Sequence, residues 1–207
     1  MDYTCKSLLR FKRSRSRLLN LPPELQDLIF GFAVTLEKPV VTFRLDEYQK
    51  NGYQEAIQPA LTRVNRQTRE QSLPLFYELN DFILHAETPK IVDTRRWLQC
   101  VRSYLPRLLK LSLWIRYVTL TNDRSASNGA IAVSLRRSKS DEQWKVDNEW
   151  KWITVTRPPQ LLASDAKFLA RGLDRMLTES PDCLDSVEGM LGVMTDLKLF
   201  YIKEKMS

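Results

Sequence analysis

The chain has one histidine, His85, so any chemistry that needs an imidazole as base or metal ligand must pass through it. It stands in an apolar, strand-like stretch beside Ile83 and Leu84, where a packed or edge-exposed ring is expected rather than a catalytic one. Thiol chemistry has three candidates, Cys5, Cys100 and Cys183, and no two of them have the spacing of a metal knuckle or a redox dithiol. Cys183 follows Pro181-Asp182 at an expected helix start, where the helix dipole lowers a thiol pKa, but the sequence places no base beside it. The carboxylate pairs Asp141-Glu142 and Asp147 with Glu149 fall in polar turns or strand edges and read as solvated surface. There is no Gly-rich phosphate loop or dinucleotide fingerprint, and Gly189 and Gly192 sit inside helical periodicity. The expectation is a non-enzymatic chain with no catalytic residue, cofactor or resident metal.

Binding chemistry is better represented. Trp144, Trp150 and Trp152 are interleaved with Lys145 and Lys151, and Trp150 and Trp152 point to one side of a strand. Aromatic faces beside cations can stack the bases of single-stranded RNA, whereas the same rings can equally cover the last two helices. The run Lys12 to Arg17 supplies Lys12, Arg13, Arg15 and Arg17, separated by Ser14 and Ser16. It reads as an import signal, a phosphate contact or a solvated tail. Residues 1–20 hold six basic side chains against Asp2, while the remaining 187 residues carry 26 basic against 24 acidic. Most of the formal charge of +7 therefore belongs to the arm.

Residues 1–18 have too few apolar side chains, Leu8, Leu9 and Phe11 among them, to offset the entropy of ordering, and are expected to form a disordered basic arm. Asn20 then offers a cap, Pro22 and Pro23 suit a helix start, and Glu24 complements its positive end. The spacing predicts a helix to about Val34, with Leu21, Leu25, Leu28, Ile29 and Phe32 on one side and Phe30 off that stripe. Alternation at Val41, Phe43 and Leu45 predicts a strand, and Pro59 a second helix with Leu61, Val64, Thr68 and Leu73 inward, ending near Pro74. Leu75, Phe76 and Tyr77 lead to a second strand, 81–86, then a helix from about Lys90 to Tyr104. Strands at 111–120, 130–137 and 146–156 suit an antiparallel meander, and two helices follow.

Two segments carry a resemblance. Leu21-Pro22-Pro23-Glu24-Leu25-Gln26-Asp27-Leu28-Ile29-Phe30 resembles the opening of the F-box, and Pro59-Ala60-Leu61-Thr62-Arg63-Val64-Asn65-Arg66-Gln67 resembles its later helix. With Leu73-Pro74-Leu75-Phe76-Tyr77, Asn80, Phe82 and Trp97-Leu98, the arrangement is similar to a large set of fungal F-box-like proteins, over roughly residues 19 to 120. The resemblance implies that the first helix docks into the small adaptor of an SCF ubiquitin ligase, with Leu21, Pro22, Leu25 and Ile29 as contacts and Phe30 as a further one. A strand and loop inserted between the two segments offer the alternative that the chain's own sheet covers the same side.

The expected fold is α+β: F-box-like helices packed with a small, mostly antiparallel sheet and C-terminal helices. Residues 19–207 form one domain, with an F-box-like part over 19–90 and a second part over 91–207. No stretch approaches the ~20 apolar residues of a membrane span, and the scattered cysteines suit a reducing compartment, so the expected location is cytoplasmic or nuclear. The leading function is a protein-interaction module. The alternative is a nucleic-acid-associated protein using Lys12, Arg13, Arg15, Arg17, Trp150 and Trp152.

Overall fold

The computed structural model describes residues 17–118, 129–140, 143–153 and 159–206. Paired prolines start the first helix, α1 (Pro23–Val34): Pro22 is its N-cap at φ −53° and ψ 145°, and Pro23 occupies the first turn. Asn20, expected to cap it, instead ends a 3-10 turn (Arg17–Asn20). No side chain caps α1; the Gln26 side chain instead ties the entering turn to the helix, donating to the Leu21 carbonyl at 2.7 Å. Helix α2 (Arg66–Leu79) begins where the Asn65 carboxamide accepts the Thr68 amide at 2.8 Å. The helix expected to open at Pro59 is thus split, with a separate 3-10 turn over Ala60–Arg63. Pro74 lies inside α2 rather than at its end. Removing one amide does not stop a helix whose last turn buries Phe76 and Tyr77.

The strands are β1 (Val40–Val41), β2 (Gln54–Glu55), β3 (Phe82–His85), β4 (Lys110–Arg116), β5 (Ala130–Arg137) and β6 (Trp144–Ile153). They form one sheet in the order β2-β1-β3-β4-β5-β6. β4, β5 and β6 make the expected antiparallel meander and carry long ladders. β2, β1, β3 and β4 pair in parallel, with Val40 beside Phe82 and Ile83 beside Ser112. Parallel neighbours need a crossover, and here α2 connects toward β3 while α3 (Lys90–Cys100) connects β3 to β4. The α+β class holds, with a mixed sheet.

Alternation along the strands divides the core. Leu111, Leu113 and Ile115 of β4 and Ile131, Val133 and Leu135 of β5 face the helices, α2 and α3 together with α4 (Leu162–Glu179) and α5 (Val187–Met206). On the other face the β1–β2 connection lays Phe43, Leu45 and Tyr53 over Ile83 and Trp114. Trp152 packs so closely on Gly129 that a Cβ there would overlap the indole. Two charged groups pin the far ends. Arg137 lies over the Trp144 ring, donates to the Leu105 and Leu108 carbonyls and pairs with Asp185 at 2.7 Å. Lys205 of α5 meets Asp165 of α4 at 2.7 Å, and the Tyr201 hydroxyl donates to the same carboxylate.

Candidate functional site

α1 is apolar on two sides, and the structure uses them differently. Gln26, Phe30 and Val34, one helical repeat of four apart, are buried, with α2 the neighbouring helix. Gln26 is tolerated there because its Oε1 accepts from the Gln71 side chain of α2 at 3.0 Å while its amide reaches back to Leu21. The opposite side carries Leu25, Leu28, Ile29 and Phe32, which are 47%, 55%, 41% and 78% exposed. β1 does pair with β3, but α1 packs on α2, so the sheet does not cover this side.

One residue fixes the geometry. Asn80, just past α2, donates to the Val34 and Phe76 carbonyls at 3.0 and 2.7 Å and accepts the Leu36 amide at 2.8 Å. The C-terminal ends of α1 and α2 are thereby bound through a single buried carboxamide. Leu79, partly exposed, lies beside Gly31 and continues the apolar surface onto α2.

Of the predicted contacts, Pro22, Leu25 and Ile29 are exposed, and Leu21 is half-buried at the helix entrance. Phe30 is a correction: it is fully buried and unavailable to a partner without moving α1. Leu28 and Phe32 belong to the outward side instead. Phe30 falls off the longer apolar stripe, but periodicity alone does not say which of two apolar sides turns inward.

The other chemistry-bearing residues are placed as follows. His85 packs edge-on to Phe43 with centroids 5.0 Å apart, and its Nδ1 accepts the Glu87 amide at 3.0 Å. Burial, then the charge of Lys90, pulls its pKa down to about 4, so it is neutral at physiological pH. The Cys183 thiol is pushed up, chiefly by burial, opposite to the lowering expected from a helix start. Asp182 and Asp185 act in the same direction as burial there. Trp144 is buried, while Trp150 and Trp152 are half-buried against the helix-side core, Trp152 edge-on to Tyr117 at 5.4 Å. Asp147 and Glu149 both pair with Arg136 on the other face. Arg17 is exposed. Lys12, Arg13, Arg15, Cys5, Asp141 and Glu142 lie outside the described residues.

Among the described residues no group of three or more His, Cys, Asp or Glu side chains is placed to hold a metal ion, and no helix is long and apolar enough to cross a membrane. Comparison with family models, with curated proteins and with solved structures gives no match.

Proposed function

We propose that this chain is a non-enzymatic protein-interaction module that docks through the outward side of α1, as an F-box-like receptor contacting the adaptor of an SCF ubiquitin ligase. The observation that carries the reading is the exposure of Leu25, Leu28, Ile29 and Phe32 on a helix whose other side is already packed. A helix apolar on two opposite sides is normally covered on both, and contiguous large apolar side chains in water mark a binding surface. The prolines at the helix start and the Asn80 clamp at its end hold those anchors in place before a partner arrives. Apolar residues at three- and four-residue spacing are what a hydrophobic groove reads in a helix.

The test is co-elution of the purified chain with the purified adaptor. The expected result is a stable complex that Leu25→Asp with Phe32→Asp abolishes while the near-ultraviolet tryptophan spectrum stays native. No complex, or one that survives those changes in a folded protein, rejects adaptor docking through this side.

A further inference from the structure

From residue 18 to residue 37 there is no lysine or arginine, in a chain where 32 of 207 residues are basic, and the same stretch holds Glu24, Asp27 and Glu37. The charges on α1 are thus two carboxylates, both exposed. At about 100° per residue, Glu24 and Asp27 fall on one flank of the Leu25–Leu28–Ile29–Phe32 stripe, with Gly31. The other edge of the stripe, at Ile29, runs on to Pro22 and Ala33 and is uncharged. Glu24 has a local reason to be there, since it lies in the first turn and meets the positive end of the helix. Asp27 does not. It stands beyond the first turn, where the dipole no longer favours it, and aspartate is among the weaker helix formers.

Resting on the docking reading above, we infer that the partner presents an apolar groove edged by lysine or arginine along the lip that faces Glu24 and Asp27, and by neutral residues along the lip that faces Ile29 and Ala33. Charges at the rim of such a contact set the encounter rate and reject the reversed orientation, while the apolar stripe supplies the affinity. One-sided charge fixes which way round α1 enters the groove.

Two synthetic amphipathic helical peptides with the same apolar side, one edged with lysine and one with glutamate, separate this local effect from the charge of the whole molecule. The formal charge of +7 draws in the glutamate-edged peptide, so a preference for lysine has a local origin, which charge reversal at Glu24 and Asp27 assigns. The full-length chain is expected to bind the lysine-edged peptide at least tenfold more tightly at low salt. The difference should shrink at high salt, and it should invert in Glu24→Lys with Asp27→Lys. Leu28→Asp with Phe32→Asp should lose both peptides. Equal affinities, a lysine preference that survives charge reversal, or no binding of either peptide overturns the inference. A chain that discriminates the peptides but fails to co-elute with the adaptor keeps the charged lip and rejects the adaptor alone.

Discussion

Phe30 and Phe32 stand two residues apart on α1, and replacing them should have opposite consequences. A fully buried large side chain is worth roughly 1.5–3 kcal/mol in removed apolar surface. Phe32 keeps 78% of its surface in water, so Phe32→Ser forfeits about 0.5 kcal/mol. Leu28, 55% exposed, forfeits about 1 kcal/mol. The double variant should melt within a few degrees of the parent, since a body of this size shifts by about 2–4 °C per kcal/mol. Phe30→Ala removes a ring with no exposure and leaves a cavity between α1 and α2, at a cost of about 3–5 kcal/mol. For a partner the order reverses: central apolar anchors typically cost about 2 kcal/mol or more each when truncated, some 30-fold in affinity. Thermal unfolding followed by tryptophan emission, with titration of the adaptor against each variant, reads both quantities. A loss of more than about 2 kcal/mol in the Leu28→Ser, Phe32→Ser protein would mean that the outward side is internal, and unaltered adaptor affinity would mean that it is idle.

His85 gives a pH dependence with a definite sign. Its folded pKa of about 4 lies below the ordinary 6.5, so the unfolded chain takes the proton first and stability falls as pH drops from about 6.5 to 4, by about 3 kcal/mol in all. Urea midpoints measured across that range should decline in the parent and much less in His85→Phe. Asn80→Ala should cost about 2–3 kcal/mol by stranding the Leu36 amide and two carbonyls, and hydrogen exchange should quicken at the C-terminal end of α1 before the sheet. Lys205→Ala leaves the Asp165 carboxylate in a nearly dry site and should cost about 3 kcal/mol or more. Adding Asp165→Asn should recover part of that loss, and urea unfolding of the single and double variants checks it.

Legibility from sequence followed how local the cause was. β5 runs over residues 130–137 as its alternation predicts, and α1 ends at Val34 as expected, because pattern and boundary lie in the same few residues. β1 stops at Val41 although alternation continues to Leu45. The Thr42 hydroxyl donates to the Ile83 carbonyl and bonds the Thr94 hydroxyl, and the chain leaves the sheet to lay Phe43 and Leu45 over Trp114. That departure depends on a helix some fifty residues on, which no window around Thr42 contains. At Pro74 the opposite holds: its local meaning is a break, but the burial of Phe76 and Tyr77 overrides it. The inward side of α1 is not legible locally because one of its three buried residues, Gln26, is polar and its partner, Gln71, is 45 positions away.

The Gln26–Gln71 pair and the Asn80 clamp also bear on the proposed docking through α1, because they fix the helix in advance. A segment that orders only on docking loses backbone freedom at that moment, about 1–2 kcal/mol for each residue fixed. α1 has already lost it, because its inward side is packed at Phe30 and Val34 and its end is tied to Asn80 by two hydrogen bonds, at the Val34 carbonyl and the Leu36 amide, while the same side chain holds the Phe76 carbonyl of α2. Beyond the rigid-body cost of any association, the outward anchors Leu25, Leu28, Ile29 and Phe32 then surrender little more than their own rotamers. On the docking proposal, the polar contacts that look out of place inside the fold, Gln26 and Asn80, would hold the exposed leucines and phenylalanine as a rigid surface. Loosening them should weaken a partner's grip without touching a single contact residue.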